Sequence, residues 1–434
     1  MTRPDEPDYV YYVLYDEDFG LSGLAGELAA GALSPGDDQV GDEQLGKDAR
    51  LLLDSSLSGD MMRTLWLAAC RERFDPAGHG MDMGSWLRRL SDEHPPPRKK
   101  SEPRPTKYLS TIPFTPPRPV LVEEEMREAV LAEIRASEQD LARAVPLPDA
   151  LPALRRVVAE VDADLGFRLF LRLLKAYGVR VGKEQYDRFL ELSDPFEYHV
   201  GVVRDDLAVD WPPIDTTRRD TIWDFGLSSL TDRFHDHRYD DTARDVVREC
   251  AEADDAAQTP GTAAAVLLED VLRLLESPLS TDAITALWLV ASDAGLRLDR
   301  YGIDARQWLE QIADVCRERL RDIAPDHRFV LAPPARTELR DEVLRELRDI
   351  APQMATRSVS PGWQSVPGAA AVEALEQVVA QVDHDLGFRL LLRALNGLAV
   401  PLTEERYARY QALGERFGYG EFHVSRVDHL LEQE

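Results

Sequence analysis

The strongest constraint on this chain is that a long stretch of it occurs twice. Ala153-Leu-Arg-Arg-Val-Val-Ala-Glu-Val-Asp-Ala-Asp-Leu-Gly-Phe-Arg-Leu-Phe-Leu-Arg172 returns without a gap as Ala374-Leu-Glu-Gln-Val-Val-Ala-Gln-Val-Asp-His-Asp-Leu-Gly-Phe-Arg-Leu-Leu-Leu-Arg393. Asp18-Phe-Gly-Leu-Ser22 recurs as Asp224-Phe-Gly-Leu-Ser228, and Leu57-Ser58, Leu65-Trp66-Leu67 and Trp86-Leu87 recur as Leu279-Ser280, Leu287-Trp288-Leu289 and Trp308-Leu309. The pair Arg127–Arg135 and Arg340–Arg348 aligns once the first half is allowed roughly nine extra residues, placed in the Pro-rich, basic stretch 95–119. These anchors predict two tandem homologous helical domains, residues 1–210 and 211–434, with Trp211-Pro-Pro interrupting the pattern between them. The period is too long for a solenoid repeat.

The expected class is mainly α with minor β. Apolar periodicity predicts helices over Gly59–Arg71, Met83–Asp92, Glu123–Arg143, Ala150–Val161, Leu165–Tyr177 and Lys183–Leu192, with equivalents after Arg219. A short N-terminal strand is expected at Tyr9–Tyr15, and extended pieces at Lys107–Phe114 and Phe329–Pro333. Alternating strands and helices are missing, which excludes a doubly wound cofactor fold. Ser58, Ser280, Asp82, Asp304 and Thr403 read as helix N-caps, each with an apolar residue before it and another four places into the helix. Trp66 and Trp288 read as core.

Composition narrows function by exclusion. A formal charge of −28 with pI near 4.7 argues against general nucleic-acid binding, which needs a basic surface. No apolar run is long enough to span a membrane, and the first residues do not read as a signal peptide, so the expected location is cytoplasmic. Cys70, Cys250 and Cys316 occupy no matching positions and read as core thiols in a reducing compartment. There is no Cys-x-x-Cys, His-Glu-x-x-His, P-loop or Gly-x-Ser-x-Gly elbow, so no catalytic, cofactor-binding or metal residues are assigned and no enzyme activity is expected. Asp-Phe-Gly appears without the other parts of a kinase, and reads as a turn leading to a Ser22 or Ser228 helix cap. His235-Asp-His237 has no counterpart in the first half, while His199 and His423 roughly coincide after Phe-x-Tyr.

Asp164, Arg168 and Arg172, matched by Asp385, Arg389 and Arg393, are the candidate partner-binding residues. On one helix they fall four apart and line one face, so the carboxylate can pair along the helix or the arginines can fork a carboxylate from the other domain or a partner. Asp162 and Asp164, two apart on a helix, point in nearly opposite directions and do not share a metal ion.

The acidic helical character, with the Leu-Ser-x-Asp…Leu-Trp-Leu and Asp-Leu-Gly-Phe-Arg-Leu segments, resembles bacterial immunity proteins of contact-dependent and polymorphic-toxin systems. The resemblance implies a non-catalytic protein that sequesters a cationic toxin or another basic protein partner in the cytoplasm, with no family residue carried over. Two alternatives stand beside it: an intracellular scaffold or regulatory protein built as a pseudo-dimer, and an enzyme with one degenerate copy, for which His235 and His237 would speak.

Overall fold

A computed structural model describes residues 17–32, 43–95, 107–108, 121–221, 223–235, 242–359, 365–420 and 422–432. The chain is mainly helical, 67% helix against 3% strand, which settles the class. It divides into two compact units, Met1–Trp211 and Pro212–Glu434, each with its own apolar core.

The first unit contains α1 (Gly20–Ala30), α2 (Glu43–Leu53), α3 (Gly59–Ala69), α4 (Met83–Glu93), α5 (Glu123–Ala136), α6 (Glu138–Ala144), α7 (Ala150–Arg156), α8 (Ala163–Ala176), α9 (Lys183–Ser193) and α10 (Val200–Arg204). Its central helix is α8, whose residues from Leu165 to Leu171 are all buried, and α1, α3 and α5 pack on it. The second unit contains α11 (Gly226–His235), α12 (Ala243–Glu252), α13 (Thr262–Leu275), α14 (Thr281–Ala291), α15 (Ala305–Ile323), α16 (Arg340–Ala355), α17 (Gly368–Gln377), α18 (His384–Gly397), α19 (Glu404–Phe417) and α20 (Phe422–Ser425). There α18 is central, with α11, α14 and α16 against it.

The helix starts follow from their caps. Ser58 accepts from the Met61 N–H, Ser280 from Ala283, Asp82 from Ser85 and Thr403 from Arg406, while Asp304 and Gln307 complete a reciprocal capping box. Trp66 and Trp288 are buried, and their indole N–H groups donate to the Phe74 and Leu296 carbonyls. All three cysteines are free and buried.

Several expectations need correction. The helix expected over Glu123–Arg143 is interrupted at Ser137, which closes α5 and opens α6. The helix expected to reach Val161 ends as a π-turn over Val157–Val161, and Val378–Val382 does the same; the Asp162 and Asp383 N–H groups bond five residues back, to Val157 and Val378. Phe329–Pro333 is irregular and pairs with no strand. Lys107–Tyr108 does pair, antiparallel with Leu121–Val122, and Ser358–Val359 pairs similarly with Val366–Pro367. The expected strand Tyr9–Tyr15, most of the insert 95–119, and residues 236–241 including His237 lie outside the described residues.

Candidate functional site

The wider turn at Val157–Val161 decides how α8 begins. Its last residue hands over to Asp162, whose backbone is extended and whose carboxylate accepts the Leu165 N–H at 2.9 Å, so Asp162 is the N-cap. Gly166 then lies against the π-turn, where a Cβ would stand 2.3 Å from Val158 Cγ2. Asp383 and Gly387 repeat this against Val379, with a clearance of 2.4 Å. A larger residue at either glycine would push the central helix off its neighbour.

One turn on, the arginine of the motif goes inward. Arg168 is fully buried, and its two terminal nitrogens grip both oxygens of Asp48 on α2, at 2.7 and 2.8 Å. Its Nε donates to Asp164 at 3.1 Å and a terminal nitrogen donates to the Phe19 carbonyl at 3.2 Å. The guanidinium also lies 4.6 Å from the Phe19 ring centroid, a cation–π contact. Asp48 accepts in addition the Leu21 N–H at 2.9 Å, one of the free donors at the start of α1. Tyr198 closes the cage by donating its hydroxyl to Asp164.

The second unit holds the corresponding set. Arg389 forks Asp270 at 2.8 Å through both nitrogens, donates to the Phe225 carbonyl at 3.2 Å, and lies 4.5 Å from the Phe225 ring. Asp270 accepts the Leu227 N–H at 2.8 Å, and Tyr419 donates to Asp385 at 2.5 Å.

These contacts explain Asp-Phe-Gly-Leu-Ser. Gly20 and Gly226 are in the left-handed region, both with φ +62°, and a Cβ on either would stand 2.2 Å from the Asp48 or Asp270 oxygen. The phenylalanine supplies the ring and the carbonyl. The serine is not the helix cap expected from sequence, because each helix has already begun at the glycine; the Ser22 and Ser228 hydroxyls donate back to the Phe19 and Phe225 carbonyls. The cap is the remote carboxylate of Asp48 or Asp270.

Burial alone would lower the pKa of Arg168, but Asp164 and Asp48 outweigh it and hold the guanidinium well above its ordinary range; Arg389 is held up likewise by Asp270 and Asp385. Both arginines are therefore permanently charged. The Tyr198 and Tyr419 phenols are pushed far up, by burial first and then by the carboxylates they touch.

The outer ring of the two cages differs. In the first unit Asp18 receives Lys175 at 3.1 Å and Arg172 at 3.6 Å. In the second, Asp224 instead accepts the Ser228 hydroxyl, and Arg393 turns to Asp232 at 2.7 Å. Arg219 adds a second cation to Asp385 at 3.0 Å, and Arg273 reaches Asp383 at 3.2 Å. Asp385 is held below the carboxylate range because Arg389 and Arg219 outweigh its burial, whereas burial and the neighbouring Asp385 raise Asp383.

All six candidate partner-binding residues thus sit in or beside these cages. Arg168, Arg389 and Arg393 are buried, and Asp164, Arg172 and Asp385 are at most slightly exposed. The carboxylate that the arginines fork comes from their own unit. His199 and His423 do not coincide: Tyr198 matches Tyr419, so His199 falls opposite Gly420 and His423 opposite Val202. His199 caps α10 through Nδ1, while His423 is buried against Phe225 and Tyr419, its pKa lowered by burial. Among the described residues no group of three or more His, Cys, Asp or Glu is placed to hold a metal ion; Asp162 and Asp383 are occupied as caps, and Asp164 and Asp385 by arginine and tyrosine.

Asp48 and Asp270 were not singled out in the sequence, although a signal existed. Ser58 and Ser280 differ by 222 positions, and so do Asp48 and Asp270, ten residues upstream with no gap. No family model, curated protein or solved structure matches this chain.

Proposed function

We propose that this chain is a non-catalytic, acidic binding protein made of two homologous copies of one helical fold, and that it captures a cationic protein partner in the manner of an immunity protein. The paired cages support the homology, since aspartate, arginine, phenylalanine, glycine and tyrosine recur in the same roles in both units. The observation that carries the capture reading concerns charge placement. The arginines shared by the two halves are neutralised inside each unit, and among the described residues only eight aspartates and glutamates are buried. The other described carboxylates keep at least partial exposure, where negative charge would accelerate encounter with a basic surface and repel acidic competitors. Such a protein would act in the cytoplasm, beside the target of the toxin it blocks.

On this reading the partner contacts belong to residues that differ between the units, because the shared ones are committed to the interior. The test is coexpression with any toxin domain that a neighbouring gene encodes, together with association kinetics at low and high salt. Rescue of growth and a steep loss of association rate with salt are expected. Absence of both rescue and complex overturns the reading, and salt-insensitive binding transfers it to an apolar scaffold.

A further inference from the structure

The second unit has an open cavity of about 720 Å³ between α12, α13 and the C-terminal half of α15, within the size range of small-molecule sites. Its floor is apolar, formed by Leu268, Leu320 and Phe329. Its rim carries Arg244, Arg317 and Arg321 against Asp314 and Glu318. Arg244 is paired with Glu318, and Arg317 with Asp314 at 3.1 Å. Arg321 donates only its Nε, to the Arg317 carbonyl at 3.3 Å, and its terminal nitrogens meet no carboxylate among the described residues. His327 lines the same space, with an Nε2 shielded from solvent and unmatched by any hydrogen-bond partner. A surplus cation over an apolar floor is the reverse of the charge expected on a chain of −28.

The described part of the first unit differs at the matching place. There α4 stops after 11 residues at Glu93, ahead of Pro95-Pro96-Pro97, whereas α15 continues for 19 residues and carries Arg317 and Arg321 on its added turns. The position of Leu268 is Gly46 in the first unit, and the His94 carbonyl comes so near that a Cβ would stand 1.9 Å away. Chain fills in one unit what the other leaves open.

We propose that this cavity is a binding site, present in the second unit only, for a small amphipathic organic anion: an apolar body on Leu268, Leu320 and Phe329, and an anionic head on Arg321 with His327 beside it. Arginine supplies several donors in a fixed fork, which suits a carboxylate, sulfonate or phosphate head. The site is independent of the capture of a cationic protein and survives its failure.

The probe is anilinonaphthalene sulfonate, titrated into the full chain by fluorescence and calorimetry, with octanoate and octanol as competitors. One saturable site per chain is expected, displaced by octanoate and not by octanol. R321E should weaken it by about tenfold or more, since a charge-assisted contact is replaced by repulsion. R321K should retain most of the affinity, and F329A should weaken the probe with an unchanged circular dichroism spectrum. An absent or non-saturable signal, equal displacement by octanol, or affinity unaltered in R321E overturns the proposal. Melting of each variant separates loss of the site from loss of the fold.

Discussion

The two charge cages share an inner core and differ in the groups described around it. In the first unit Arg168 faces both Asp48 and Asp164, and the Tyr198 hydroxyl also reaches Asp164. In the second, Arg389 faces Asp270 and Asp385, and Arg219 supports Asp385 from the other side. The lesson is that the inner motif is kept while the groups described around it change from one unit to the other. Buried ion pairs contribute little when intact but cost much when half of the pair is removed.

The largest expected effect follows from that asymmetry. Arg168→Met removes the guanidinium that forks Asp48 and pairs with Asp164 and should destabilise the first unit by about 3–5 kcal/mol. Arg389→Met should lie at the low end of the same range, because Arg219 remains. Native-state hydrogen exchange of α1 and α11 in the full chain separates the two units, and equal losses would erase the comparison.

Tyrosine removal comes next. Tyr198→Phe strips a donor from Asp164 and should cost about 1.5–3 kcal/mol, while Tyr419→Phe should cost less because Asp385 keeps two arginines. The same phenols set an alkaline limit. Their folded pKa values are raised by burial and by the carboxylates, so the unfolded chain loses these protons first, near pH 10. Their contribution is complete below that pH and falls above it, by about 1.4 kcal/mol per pH unit per tyrosine, until the folded phenol titrates. Alkaline melts of both phenylalanine variants should show the slope reduced; an unchanged slope contradicts the assignment.

How much of this was legible in the sequence depended on distance along the chain. Ser58, Ser280, Asp82, Asp304 and Thr403 act on N–H groups within three residues, and each was readable as a cap. Trp66 and Trp288 were readable from helical periodicity. Asp48 and Asp270 act on Arg168 and Arg389 about 120 residues away, which no local pattern reveals. Asp164, Arg168 and Arg172 were correctly aligned on one face, but spacing cannot say whether that face looks outward. Ser22 reads as a cap because a serine after a Gly-containing turn is a common N-cap signal, and neither the earlier helix start at Gly20 nor the remote carboxylate shows in the local pattern. The π-turns eluded periodicity because one added residue per turn shifts the pattern only at its end.

Glycine variants sharpen the comparison from the opposite side, since they should not distinguish the units. Gly20→Ala and Gly226→Ala each place a Cβ on the caging carboxylate at positive φ, and each should cost about 1–3 kcal/mol. Thermal unfolding with exchange on both helices checks the equality. The smallest effect concerns the caps. Asp162→Ala should cost about 1 kcal/mol, and Asp383→Ala less, because burial and Asp385 already disfavour the charge on Asp383. A more damaging Asp383→Ala would mean that its bond to Arg273 outweighs that penalty.

The aspartates and arginines shared by the two halves are committed to the interior of each unit. A double-mutant cycle of Asp48→Asn and Arg168→Met in the full chain, read by exchange protection of α1, tests it most directly. The cage predicts strong coupling, about 3 kcal/mol, because the second substitution relieves much of the first. Additive effects with α1 protection near that of the unsubstituted chain would contradict it and return these arginines to the surface.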